Sequence, residues 1–221
     1  LKRNCLLFDL DGTLVHSAPD LAASLNRRLE ALGRTTLDLE AVTAMVGNGF
    51  QKLLERALLA TGGPLPQAEF EAVNAAGLAD YFENATTLTR PYPGVAATLK
   101  ALKDQGCRMA VCTNKPVAPS WRILEDLGLA GFFEALAGGD SYTVRKPDPG
   151  HIKALLEEMG VAPRGAVMIG DSSNDLLAAR GAGLPTVLLT YGYCPEGAAN
   201  LRPDALAESF TELPEILRRL P

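Results

Sequence analysis

The run Asp9-Leu10-Asp11-Gly12-Thr13-Leu14 follows directly on Cys5-Leu6-Leu7-Phe8, and no other stretch limits the possible folds so strongly. Four apolar residues between Asn4 and an acidic pair read as a short strand buried on both faces, as in a parallel sheet. Side chains alternate in direction along extended chain, so Asp9 and Asp11 can project the same way. Two carboxylates that close are unfavourable unless a cation lies between them or one keeps its proton. Gly12 permits a sharp turn, and the Thr13 hydroxyl can tie that turn down. Acids paired at the carboxyl end of a buried strand are candidates for metal-assisted or nucleophilic chemistry.

The rest of the chain supplies the sheet that such a strand needs. Ser17-Ala18-Pro19-Asp20 has the spacing of a capping box, and Leu21, Leu25, Leu29 and Leu32 follow at helical spacing up to Gly33. Asp20 and Asp38 read as ordinary helix-start acids. Further helices are expected over 39–46, 50–60 and 67–82, with Gly47-Asn48-Gly49 between the first two and no strand between residues 17 and 88. From Gly94 the pattern changes to alternating helices and strands. Strands are expected at 108–112, 135–137, 166–169 and 186–190, and helices at 117–127, around Ile152 to Met159 and at 174–180. A closing helix is expected over 210–220. This alternation predicts a parallel sheet with helices on both faces, a three-layer α/β/α core. The core would comprise residues 1–16 and 89–221, and residues 17–88 would form an inserted, all-helical cap.

Ligands of open parallel sheets sit beyond the carboxyl ends of the strands. Three strand ends here are polar: Asp9 and Asp11, then Thr113 and Asn114, then Asp171 to Asp175. Lys146-Pro147 precedes a helix between the last two. Clustered acids suit a hard cation such as Mg²⁺, and a hydroxyl, backbone N–H groups and a lysine suit an oxyanion, most simply phosphate.

In order and spacing these four stretches resemble the four motifs of the haloacid dehalogenase-like superfamily, whose members are mostly phosphatases with a Rossmann-like core. The resemblance implies that Asp9 is the nucleophile that forms an aspartyl-phosphate, and that Asp11 is the general acid and base. It assigns Thr113, the backbone of Asn114 and Lys146 to the phosphoryl oxygens, and Asp9, the backbone carbonyl of Asp11 and Asp171 to Mg²⁺, with Thr13 and Asp175 in support. The helical insertion resembles the cap of one branch of the superfamily. Within that branch, Ser17 to Asp20, Val46 to Gly49 and Tyr191 to Tyr193 look most like phosphoglycolate phosphatases, which implies a small phosphate monoester as substrate. His16 departs from the acidic residue usual at its place there. A phosphosugar mutase of the same superfamily is the alternative within the enzymes, and a receiver-like phospho-aspartate module the alternative outside them. A dehalogenase acting at carbon does not need Asp11.

Bulk properties are consistent with this. The net charge of −5 gives no general attraction for nucleic acid or anionic membrane. No run of about 18 apolar residues predicts a transmembrane helix, and Leu1-Lys2-Arg3-Asn4 leads into too short an apolar run for a signal peptide. The four cysteines have no CxxC spacing and the two histidines are far apart, so a zinc site is not expected. Buried thiols in a reducing cytoplasm, and a monomer or homodimer acting on a phosphorylated metabolite, are the expectation.

Overall fold

In the computed structural model, which describes residues 3–194 and 197–220, the strand that carries the acidic pair is the centre of the sheet. Leu1 and Lys2 of the amino-terminal run, and Pro221 at the end of the expected core, lie outside the described residues. The chain runs through β1 (Cys5–Phe8), β2 (Val15–His16), α1 (Ala18–Ala31), α2 (Leu39–Thr43), α3 (Phe50–Ala60), α4 (Gln67–Asn84) and β3 (Arg90–Pro91). It continues with α5 (Val95–Asp104), β4 (Arg108–Cys112), α6 (Val117–Asp126), β5 (Ala135–Ala137), α7 (Pro149–Glu158) and β6 (Ala166–Gly170). It ends with α8 (Ser173–Ala182), β7 (Thr186–Leu189), β8 (Ala205–Ala207) and α9 (Leu213–Arg219).

The sheet has six strands, all parallel, in the order β5-β4-β1-β6-β7-β8. The alternation of β1 decides which side chains face which layer. Leu6 and Phe8 join the core made with Val95, Leu99, Leu102 and Leu213, whereas Cys5 and Leu7 join that made with Ile152, Leu155, Ala178 and Ala179. Phe8 is fully buried, with ring centroids 6.1 Å from Phe133 and 5.8 Å from Phe210. Burying a ring of this size contributes about 2–3 kcal/mol.

Register then sets the level of the strand ends. Phe8 pairs with Val111 of β4 on one side and Ile169 of β6 on the other, so Asp9 stands level with the residues just before Thr113 and Asp171. The Asp9 N–H continues the ladder by donating to the Ile169 carbonyl at 2.9 Å. Strand order reverses direction at β1, which opens a crevice at this edge.

The four-helix insertion packs against itself through α1 and contributes Leu25, Leu29, Phe50, Leu53 and Leu54 to the buried set. Two sheet elements are absent from the sequence expectation. Val15–His16 and Arg90–Pro91 form a small antiparallel ribbon where the insertion leaves and rejoins the sheet. Each strand is only two residues long and one contains Pro91, so neither periodicity nor propensity marks it. The other is β8, an Ala-Leu-Ala edge strand with no apolar run around it. The closing segment 210–220 is a short 3₁₀ turn at Phe210–Glu212 followed by α9, rather than one helix.

The capping box expected at α1 is not formed. Ser17 is in helical conformation (φ −98°, ψ −9°), with no side-chain cap bond. Its hydroxyl donates instead to Asp11 Oδ1. Asp20 is no ordinary helix-start acid either: it is buried and accepts from Leu88 N, Thr89 N and Thr89 Oγ1 at 2.7 to 3.0 Å. Asp38 does cap α2, accepting from Ala41 N at 2.8 Å.

Candidate active site

Asp9 and Asp11 leave β1 in the turn made possible by Gly12, whose φ is +81°. A Cβ at Gly12 would run into the Asp171 carboxylate, so glycine serves both the turn and the close approach of two strand ends. The Thr13 hydroxyl does not tie its own turn. It donates to Asp171 Oδ1 at 3.0 Å, linking the first strand end to the last.

Lys146 reaches the same place from the loop before α7. Its side chain is 2% exposed, and its ammonium lies 3.0 Å from Asp9 Oδ1 and 2.6 Å from Asp175 Oδ1. Asp175 also closes a capping box at the start of α8, its Oδ2 accepting from Ser172 N at 3.1 Å and Asp171 N at 3.2 Å. Carboxylate oxygens of Asp9, Asp171 and Asp175 all lie within 4.8 Å of one another. Thr113 and Asn114 follow β4 and are buried; Thr113 Oγ1 accepts from Lys115 N at 3.2 Å, and Asn114 Nδ2 donates to the Lys146 carbonyl at 2.9 Å. Asp11 stands apart from the acid cluster: Oδ2 meets the Lys115 ammonium at 2.9 Å and Oδ1 takes the Ser17 hydroxyl. All eight residues expected at the site, Asp9, Asp11, Thr13, Thr113, Asn114, Lys146, Asp171 and Asp175, therefore come to one rim or its immediate support.

The haloacid dehalogenase-like hydrolase family model matches residues 4–183 of the chain. The chain belongs to this family. It is 38% identical over 215 residues to the phosphoglycolate phosphatase of Agrobacterium fabrum, covering 97% of this chain and 92% of that one. It is 42% identical over 212 residues to the phosphoglycolate phosphatase of Rhodospirillum rubrum, covering 94% and 88%. The crystal structure of a predicted phosphoglycolate phosphatase from Haemophilus somnus superposes with a TM-score of 0.94 at 36% identity, over 98% of this chain and 99% of that chain.

The electrostatics of this haloacid dehalogenase-like hydrolase call for a cation. Burial, reinforced by the Asp175 and Asp11 charges against the pull of Lys146, pushes the Asp9 carboxyl up to about 6. Burial and then the charges of Asp175 and Asp9 hold Asp171 well above the usual carboxylate range. Lys146 offsets Asp9 and Asp175, but among the described residues Asp171 accepts from neutral donors, the Thr13 hydroxyl and the Tyr193 N–H at 2.6 Å. An all-oxygen donor set, with one carboxylate that has no cationic partner among the described residues, fits a hard divalent metal ion.

Further residues take a place in this site. Lys115 is buried between Asp11 and Tyr81, its Nζ 2.8 Å from the tyrosine hydroxyl. The signal available for it was position: it follows Asn114 in a strand-end loop. Ser17, expected as a helix cap, holds Asp11 Oδ1 instead. The Tyr193 N–H holds Asp171, while its hydroxyl accepts from Ala18 N at 3.0 Å and lies 2.9 Å from His16 Nδ1. His16 is thus a hydrogen-bonded residue of the β2–β3 ribbon. Gly47, in the loop between α2 and α3, offers its carbonyl to Asn114 Nδ2 and Asn174 Nδ2, both at 3.1 Å, so the insertion touches the core at the rim. Between the two is a cavity of about 650 Å³ bordered by Asp9, Asp11, Lys115, Phe50 and Tyr81.

Proposed function

We propose that the protein is a Mg²⁺-dependent phosphatase that hydrolyses a small phosphate monoester, with phosphoglycolate as the preferred substrate. The observation that carries this reading is the convergence of Asp9, Asp11, Lys146 and Asp171 around one crevice, with two acids in different surroundings. Asp9 attacks phosphorus as the bond to the ester oxygen breaks, and Asp11 gives its proton to that oxygen. Asp11 then takes a proton from water as the water oxygen displaces Asp9, which releases phosphate and restores both acids. Lys146 keeps Asp9 in place and offsets the repulsion between carboxylate and phosphate. Thr113 and the Asn114 backbone orient the phosphoryl oxygens. Asp9, Asp171 and the Asp11 carbonyl would hold Mg²⁺, with Asp175 and Thr13 in support; bound there, the ion supplies positive charge for phosphoryl transfer.

Residues 17–88 serve as the cap over a core of residues 1–16 and 89–221, and exclude water from the crevice. Relatives named for phosphoglycolate support the choice of substrate. Buried thiols at Cys5, Cys107 and Cys112 support a reducing compartment such as the cytoplasm, where a monomer or homodimer would meet this metabolite. No helix among the described residues is long and apolar enough to cross a membrane.

A phosphate-release panel of phosphoglycolate, sugar phosphates and nucleotides, run with Mg²⁺ and with chelator, tests the reading. The expected result is a preference for phosphoglycolate, loss of activity in chelator, and a fall of about 10⁴-fold in kcat for Asp9→Asn. Preference for a sugar phosphate or nucleotide rejects the substrate. Undiminished turnover by Asp9→Asn rejects the nucleophile.

A further inference from the structure

We infer that Lys115 determines specificity by binding a carboxylate carried by the leaving group, one carbon away from the ester oxygen. The inference rests on the phosphatase reading above and adds the residue that recognises the acid.

Two buried lysines meet the acids of this site, and they divide between its two sides. Lys146 pairs with Asp9 and Asp175, on the side of the nucleophile. Lys115 pairs with Asp11, on the side where the ester oxygen must accept a proton. Its side chain is 5% exposed, and a buried ammonium is costly unless its donors are matched. Of its three N–H groups, one is directed to Asp11 Oδ2 at 2.9 Å and another to the Tyr81 hydroxyl at 2.8 Å, with the Tyr81 ring centroid 4.5 Å away.

Transfer of a phosphoryl group from a neutral alcohol gives no work to a second buried cation beside the general acid. An ester of a 2-hydroxy acid does. Its carboxylate is bonded to the carbon bearing the ester oxygen, so when that oxygen faces Asp11 the carboxylate lies beside it, within reach of an ammonium already next to Asp11. A single ammonium suits a single negative charge. The cavity wall given by the helices is apolar at Leu21, Phe50, Leu53 and Leu78. Among the described residues on that wall the other basic side chain, Arg56, is exposed and donates to the Met45 carbonyl and to Asn48 Oδ1. Lys115 comes from the loop after β4 and Tyr81 from α4, so the receptor exists only with the insertion seated over the crevice.

Two esters that differ only in this group, phosphoglycolate and 2-hydroxyethyl phosphate, provide the test. The quantity read is the ratio of their kcat/KM values. Wild type should favour phosphoglycolate, and Lys115→Met should lower the ratio by about 30-fold or more, the range of a lost charge-assisted hydrogen bond. Tyr81→Phe keeps the ring and removes only the hydroxyl, and should lower the ratio by about fivefold, mainly through KM. If Lys115→Met slows both esters equally, Lys115 only supports Asp11 and the inference is overturned. Should Lys115→Met fail to fold, Tyr81→Phe decides, and an unchanged ratio overturns it. A wild-type enzyme that hydrolyses both esters equally well also overturns it and leaves the phosphatase reading intact. Release of phosphate from neither ester overturns both.

Discussion

Asp175 serves at once as a helix cap and as a support of the acid cluster. One carboxylate can do both because its two oxygens point to different partners, Oδ1 to Lys146 and Oδ2 to the backbone at the start of α8. Gly170 leaves room for this, since a Cβ there would run into the Asp175 side chain. His151, in contrast, belongs to the core. It is fully buried, its Nε2–H donates to the Gly138 carbonyl at 3.1 Å, and its Nδ1 faces Cys112 Sγ at 3.9 Å. Burial, then the nearby Lys146 charge, lowers its pKa from 6.5 to about 4, so the fold holds it neutral while the unfolded chain takes up a proton. Stability from this residue is full above pH 6.5 and is lost as the pH falls toward 4. Its loss should come to about 2 kcal/mol between pH 7 and pH 5. Asp9 and Asp171, with raised values, act with the opposite sign in that window. The His151 share is therefore read from urea unfolding as the difference between wild type and His151→Gln, which keeps a donor for Gly138. Parallel pH dependences of the two proteins would exclude it.

Helix α1 shows how tertiary partners displace a local pattern. Ser-x-x-Asp usually satisfies the first N–H groups of a helix, yet both side chains are drawn away, Ser17 to Asp11 and Asp20 to the segment before β3. That segment must return from the insertion beside the point where the chain left, and its N–H groups at Leu88 and the buried Thr89 need an acceptor. Asp20 provides it and so fastens α1 to β3. Asp20→Ala leaves these donors unmatched and should cost about 2–3 kcal/mol, a fall in Tm of about 5–10 °C for a chain of this size. Calorimetry or thermal circular dichroism measures this directly. A change of less than one degree would show that water replaces the carboxylate.

Across the whole molecule, four acids and two lysines are brought to one crevice under a helical insertion. The core is apolar, and buried charge gathers at this rim, where the donors to Asp171 among the described residues are neutral. A divalent cation that binds the folded form should therefore raise global stability. At a Mg²⁺ concentration of about 100 Kd the gain should be about 2.7 kcal/mol, read as a rise in Tm over a sample in chelator. Asp171→Asn should abolish most of that rise. An equal rise in the variant would move the ion elsewhere.

Apolar periodicity and strand-end chemistry determined the parallel core, the helical insertion and the acids of the rim, because both are properties of neighbouring residues. The bounds of α3, the strands β4 and β5, and the buried thiols could all be read in this way. Only tertiary structure decided the partners: Lys115 with Asp11 and Tyr81, Ser17 with Asp11, Tyr193 with Asp171, and the ribbon of β2 and β3. Several of these partners lie far apart in the chain, 34 positions for Lys115 with Tyr81 and 22 for Tyr193 with Asp171, and the pairs have no local period. Their geometry follows from sheet register and from where the insertion is seated, which no short stretch of chain encodes.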